Sequence, residues 1–293
     1  MNDPDWITKQ FEARHGHLRE VAYRMLGSLS EADDAVQEAW LRLCRSDASS
    51  VNNMGGWLTT VVARVCLDAL RSRKRRAEGP IGEEALEPLA GEDGTAIENE
   101  MQLAESVGLA LLVILDRLEP AERLAYVLHD MFDLPFDEIA RMVNRTPTAA
   151  RKLASRARQR LRGGDKPSNS DLVRQRRVAE AFLAASRDGD FRALLDVLDP
   201  DVVLCADAMA TRTGLPVEVR SAPLVARGAS AYSDRVQFAQ LALVDGRVGV
   251  VIAPRGQLFA VLGLTVTDEK ITRIEVIADP LRLNQLELAL LNE

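Results

Sequence analysis

Residues 136–162 read FDEIARMV, then NR, then TPTAARKLASRARQRLR, a pattern that predicts two helices joined by a tight connection at Asn144-Arg145. Thr146 suits the N-cap and Pro147 the first helical position, where a missing N–H costs nothing. In the second helix Ala150, Leu153, Ala154, Ala157 and Leu161 recur at helical spacing and form the expected core stripe. That leaves Thr148, Arg151, Lys152, Ser155 and Arg158 facing outward, with Arg156 beside them. Small alanines let such a helix pack closely while its polar face enters a DNA major groove. There Arg reads O6 and N7 of guanine, and Lys and Ser serve phosphates. The competing reading is a cationic surface helix with no nucleic-acid target. From Arg141 to Arg162 the chain holds eight basic residues and no acidic one, a local charge that suits phosphate binding.

Two further helical stretches lie upstream. In SEADDAVQEAWLRLCR (30–45) Ser30 is the expected cap and Asp33 the acidic residue of the first turn. Ala32, Val36, Ala39, Trp40 and Leu43 share one stripe, so Asp34, Gln37, Glu38 and Leu41 fall on another face. A leucine among exposed carboxylates points to a partner surface; the alternative is a solvated acidic face. In WLTTVVARVCLDALRSRKRR (57–76) the expected core stripe is Leu58, Val61, Val62, Val65 and Ala69. Arg64, Asp68, Arg71 and Arg75 run along the opposite side, where Arg64 and Asp68 have ion-pair spacing. One aspartate cannot neutralise Arg71, Arg73, Lys74, Arg75 and Arg76, so this cluster, expected to have no local partner, fits backbone phosphate contact. The loop before it, SDASSVNNMGG, offers small polar groups to an exposed base.

The net charge of −7 is an average over very different segments. Residues 79–101 carry seven acidic residues and no basic one, together with Gly and Pro, a composition that predicts an extended linker. Residues 102–162 return to helical periodicity. Beyond the polar break GGDKPSNS (163–170) the class changes: two helical patterns near 171–187 and 190–198 precede β-rich runs separated by Asp245-Gly246, Pro254-Arg255-Gly256 and Asp268-Glu269-Lys270. A hairpin meander is the expected outcome. No run is apolar enough for a membrane helix, and MNDPDWITKQ lacks the pattern of a secretory signal, so the expected location is the cytoplasm, with no membrane partner. Cys44, Cys66 and Cys205 share no metal-ligand spacing, and His15, His17 and His129 all precede the C-terminal segment. No metal site, catalytic residue or cofactor is expected; a lone Asp207 reads as a strand-end residue rather than an acid or base.

Together the three helical motifs resemble the extracytoplasmic-function RNA polymerase sigma factors over about residues 6–162. DDAVQEAWLRL resembles the region-two helix that docks on the polymerase β′ clamp. WLTTVVARVCLDALRSRKRR resembles the segment that opens and reads the −10 element, although many members carry Asn where this chain has Arg64. LEPAERLAYVLHDMFDLPFDEIARMVNRTPTAARKLASRARQRLR resembles region four, which meets the β flap and whose second helix reads the −35 element. From about residue 172, RRVAEAFLAASRDGDFRALLDVLDPDVVLCAD resembles the entry of the SnoaL-like cone-shaped α+β fold, which a subset of these sigma factors carries as a regulator. The resemblance implies a multidomain chain: two all-α sigma domains, the second with a helix-turn-helix, followed by an α+β SnoaL-like cone-shaped barrel. Expected bounds are 1–78 for region two, 79–101 for the linker, 102–164 for region four and 165–293 for the regulatory domain. Expected partners are core RNA polymerase, promoter DNA and a small-molecule ligand in the last domain. Asp279, Pro280 and Leu281, with the apolar run after them, are the candidates for contact between domains. Two other readings stay open: a helix-turn-helix regulator acting without core polymerase, and a SnoaL-type isomerase or cyclase fused to a DNA-binding module.

Overall fold

The computed structural model describes residues 4–46, 53–77, 108–163, 169–231 and 236–291; the segment read as a linker, 79–101, lies outside them. The chain forms two compact units, Met1–Leu103 with Leu115–Arg158, and Ala104–Ile114 with Gln159–Glu293.

The first unit opens with three helices, α1 (Pro4–Leu26), α2 (Leu29–Arg45) and α3 (Met54–Ala77). Gly27, at φ 79°, ends α1 in the left-handed conformation that favours glycine. The chain therefore turns earlier than expected, and Ser28, not Ser30, caps α2 by accepting from the Glu31 N–H. Asp33, freed from the cap, pairs with Arg19 at 2.6 Å. The core stripe of α2 holds Ala32, Val36, Ala39 and Leu43 as expected, while Trp40 is half-buried and stacks on Phe11 at 4.9 Å. On α3 the expectation needs correction. Leu58 and Val62 are buried, but the stripe continues through Ala63, Cys66, Leu67 and Leu70, leaving Val61, Val65 and Ala69 half-buried. The physical reason is that α3 packs on α1 and α2 and also on later helices of the same unit, so a single face does not describe it.

Four helices follow along the chain, α4 (Leu109–Asp116), whose residues up to Ile114 belong to the second unit, α5 (Pro120–Tyr126), α6 (Phe136–Val143) and α7 (Pro147–Arg162), whose last residues from Gln159 belong to the second unit as well. α5 runs into a single wide π turn at Val127–Met131. Asn144, at φ 54°, ends α6, and the Thr146 hydroxyl accepts from the Ala149 N–H at 3.2 Å to start α7. Ala150, Ala154, Ala157 and Leu161 are buried, as their spacing requires. α4 is apolar all round, and Leu109, Leu112, Val113, Ile114 and Leu115 are all buried.

The second unit is α+β. Helices α8 (Asn169–Asp188) and α9 (Phe191–Val197) lead into a seven-stranded sheet. Asp190 caps α9 by accepting from the Arg192 and Ala193 N–H groups at 2.9 and 3.0 Å. The strands are β1 (Leu198–Ala206), β2 (Val217–Arg220), β3 (Ala239–Val244), β4 (Arg247–Ile252), β5 (Ala260–Thr267), β6 (Lys270–Ile277) and β7 (Leu288–Ala289), with α10 (Ala222–Ala231) after β2 and α11 (Pro280–Leu283) before β7. Their order is β2-β1-β6-β5-β4-β3-β7. β3 to β6 form the expected antiparallel meander, turning at Asp245-Gly246 and Asp268-Glu269, four residues with positive φ that match the twist of a tight hairpin. β1 pairs parallel to β6, an arrangement that no local pattern announces. Phe182, Leu194, Val225, Val250, Leu264 and Ile274 belong to the core between helices and sheet. On the opposite face Ala242, Val251 and Val261 are equally buried. Gly249 lies in the same row, where a Cβ would come within 2.7 Å of the Leu262 carbonyl. Residues 108–114 belong to this unit, tied by the Ala110 N–H to Gln240 Oε1 at 2.7 Å, and the Leu290 N–H donates to the Leu161 carbonyl at 2.8 Å.

Candidate nucleic-acid and polymerase interface

Helix α7 presents Thr148, Arg151, Lys152, Ser155 and Arg156 to solvent. Arg158 behaves differently. It is half-buried, and its Nε and Nη2 donate to the two carboxylate oxygens of Asp130 at 2.6 and 3.1 Å. That bidentate bond, ahead of the cost of burial, raises the guanidinium pKa. Arg151 is exposed, yet its guanidinium carbon lies 5.2 Å from the centre of the Phe136 ring. The His129 ring lies 3.8 Å from the same ring, and its Nδ1 is 2.9 Å from the Leu134 carbonyl. Asp130, His129 and Phe136 were missed by sequence reasoning, because contacts of α7 with an earlier turn and with the start of α6, up to 28 residues away, leave no periodic trace.

On α3, Arg64 is exposed and only grazes the Arg141 carbonyl, at 3.4 Å. Asp68 meets Arg71, at 3.7 Å, rather than Arg64. The expectation that the cluster at 71–76 has no local partner is corrected by sequence-distant acids. Arg73 pairs with Glu31 of α2 and donates to the Leu26 carbonyl at 3.1 Å, and burial pushes its pKa down. Lys74 bonds Glu119 at 2.6 Å. Among the described residues Arg75 and Arg76 form no ion pair, and both are exposed. These two are the cations best placed for phosphate.

The end of α1 is closed by guanidinium groups. Arg123 of α5 is 1% exposed; its Nε and Nη2 donate to the Arg24 carbonyl at 3.3 and 3.2 Å and its Nη1 to Asp116 at 3.0 Å. Helix-terminal carbonyls lack intrahelical donors and carry partial negative charge, so cations are favourable there. Nearby Cys66 is buried, and that burial pushes its thiol up to about 12 against the opposing pull of Arg123. It is a core residue rather than a nucleophile.

Along α2, Asp34, Gln37 and Leu41 are exposed and Glu38 is half-buried beside Arg42, at 2.8 Å. The four occupy one face away from the core. In the second unit Asp207 ends β1 and accepts from the Ala210, Ala278 and Asp279 N–H groups at 2.9, 2.9 and 3.0 Å. Asp279 in turn caps α11 by accepting from the Leu281 N–H at 2.8 Å; Pro280 opens that helix and Leu281 is 75% exposed. Among the described residues there is no cluster of groups that could hold a metal, and no helix is long and apolar enough to cross a membrane.

This pairing of an exposed acidic helix with a helix-turn-helix defines a class: residues 10–76 match the family model for sigma-70 region 2, and residues 108–161 that for sigma-70 region 4. Over 298 residues the chain is 34% identical to the probable ECF RNA polymerase sigma factor SigI of Mycobacterium tuberculosis, covering 99% of each. It is 35% identical over 291 residues to the ECF RNA polymerase sigma factor SigJ of the same species, covering 92% of this chain and 91% of that one. The crystal structure of that extracytoplasmic-function sigma factor SigJ aligns with 94% of this chain and 98% of its own, with a TM-score of 0.46 and 32% identity. The chain belongs to the extracytoplasmic-function RNA polymerase sigma factors. Its second unit has the α+β architecture, helices leading into a mostly antiparallel sheet, that the sequence led us to expect.

Proposed function

We propose that α2 docks on the β′ clamp of core RNA polymerase through Asp34, Gln37, Glu38 and Leu41, and that region four meets the β flap. In this reading α3 holds the −10 region through Arg64 and the cations at Arg71, Arg73, Lys74, Arg75 and Arg76, with Arg75 and Arg76 foremost. Helix α7 reads the −35 element through Thr148, Arg151, Lys152, Ser155 and Arg156, with Arg158 held at its margin. The chemistry is binding rather than catalysis, it needs no cofactor, and it takes place in the cytoplasm with the polymerase. The observation that carries the proposal is the separation of two exposed faces: the acidic one with Leu41 on α2, and the cationic one on α7. Electrostatics of opposite sign suit two partners of opposite sign.

The functional divisions in this proposal are 1–78, 79–101, 102–164 and 165–293, and the last is a regulatory domain. Asp279, Pro280 and Leu281 with the run after them are the contact we assign to regulation. A small molecule bound in this domain is the effector we propose for that regulation. Run-off transcription with purified core polymerase tests the central reading. The full chain should direct initiation at a defined start site, and the Asp34→Lys, Glu38→Lys double variant should not. Promoter footprints formed by the chain alone, unchanged by core enzyme, would instead identify a regulator acting without polymerase.

A further inference from the structure

The π turn at Val127–Met131 carries two side chains that bear on two different arginines of α7, Asp130 directly on Arg158 and His129 on the ring beneath Arg151. Asp130 grips Arg158 with both carboxylate oxygens, at 2.6 and 3.1 Å. His129 lies against Phe136, with ring centres 3.8 Å apart and planes inclined by 32°. Phe136 in turn lies 5.2 Å from the guanidinium carbon of Arg151. Because His129 Nδ1 sits 2.9 Å from the Leu134 carbonyl, which only accepts, that nitrogen carries a proton and the ring is held in place.

A side chain with four rotatable bonds loses much freedom when it binds a base edge. An arginine already resting on an aromatic ring has lost part of that freedom beforehand, and a guanidinium over a ring face is attracted by its quadrupole. The same ring restricts the directions in which the planar fork can point, and bidentate recognition of guanine depends on that direction. Asp130 has the opposite consequence for Arg158. A carboxylate bound to Nε and Nη2 occupies one whole edge of the fork and competes with phosphate for it.

From this geometry we infer that Phe136, backed by His129, is a positioning residue for base reading by Arg151, and that Asp130 withholds Arg158 from the DNA backbone. The inference rests on the reading of α7 as the −35 helix. It makes one π turn responsible for dividing the cations of α7 into a reader and a reserve.

The test uses holoenzyme reconstituted from the full chain and core polymerase, competed over promoters with a randomised −35 element. Arg151→Ala should flatten the preference at the base it reads. Phe136→Leu keeps an apolar side chain but removes the ring; it should weaken that same preference roughly two- to fivefold, the worth of one cation–π contact. Other positions should keep their preferences, and Phe136→Tyr should restore the lost one. In an Arg151→Ala background Phe136→Leu should add nothing. If Phe136→Leu weakens all sequences evenly, or adds its full effect on top of Arg151→Ala, the positioning role is overturned. If Arg151→Ala itself leaves preference untouched, the reading of α7 fails first, and that failure is distinguishable. For the second half, Asp130→Asn should steepen the dependence of log affinity on log salt by about one phosphate contact. An unchanged slope overturns it.

Discussion

Arg123 and Asp116 form an ion pair whose two ends meet different surroundings: the guanidinium is 1% exposed and the carboxylate 58%, across a 3.0 Å bond. The buried end also serves the last turn of α1 through the Arg24 carbonyl. α5 is thereby tied to the region-two bundle by a cation that lies almost entirely out of water. Burial lowers the pKa of Arg123, and Asp116 opposes that shift.

The two partners should therefore respond unequally to substitution. Arg123→Met removes the buried charge along with its bonds and leaves one helix-end carbonyl short of donors, at a cost of about 1–3 kcal/mol. Asp116→Ala leaves the cation buried without its anion and should be the more damaging of the two, by less than a fully buried pair would show because the carboxylate is 58% exposed and solvent screens it. Chemical denaturation of the two variants decides the order, and a larger loss for Arg123→Met would show that the arginine's packing outweighs its charge.

Reversing Asp34 and Glu38 to lysine should abolish co-purification with core polymerase while leaving the melting temperature within a few degrees. Glu38 loses only its pair with Arg42, a contact of a type worth about 0.2–0.5 kcal/mol. Wild-type affinity in the double variant would remove α2 from the interface.

The cations at the end of α3 should divide in their salt response. Arg75→Gln with Arg76→Gln should flatten the dependence of log promoter affinity on log salt by about two phosphate contacts. Arg73→Gln should chiefly lower stability, because Arg73 is engaged with Glu31 and the Leu26 carbonyl. Equal slopes in the double variant and in Arg73→Gln would return the cluster to a plain cationic surface.

Asp207 ties β1 to the segment after β6, and its pKa is lowered: burial alone would raise it, but the N–H groups of Asp279, Ala278 and Ala210, with Arg282 beyond them, outweigh that cost. A carboxyl whose folded pKa lies below its unfolded value contributes stability above the unfolded pKa, about 3.9, and loses it as pH falls through the folded one. The protein should therefore lose stability on acidification below about pH 4 more steeply than Asp207→Asn does. At neutral pH the variant should be weaker by about 1–3 kcal/mol. Parallel stability curves for the two proteins between pH 3 and 7 would refute the assignment.

Much of the fold was legible in one dimension. The turn at Asn144-Arg145 with Thr146 and Pro147, the alanine stripe of α7 and the hairpins at Asp245-Gly246 and Asp268-Glu269 all depend on residues adjacent in the chain. The capping of α2 was misread by two residues because the left-handed Gly27, not the string of acids after Ser30, sets where the helix begins. The stripe of α3 was misread because that helix is buried on more than one side.

The sequence by itself determined the local structures and the identities of the exposed faces, since helix periodicity, caps and turn residues act over a few positions and bury apolar groups wherever the period places them. Tertiary structure alone decided which charges are spent. Arg158 on Asp130, Lys74 on Glu119, Arg73 on Glu31 and Arg123 on Asp116 and the Arg24 carbonyl are mostly pairings between separate elements. The physical reason is that Coulombic and hydrogen-bonding partners are chosen by distance in space. A charge pattern read along the chain shows how many cations are available, whereas only the packed chain shows which of them remain for DNA.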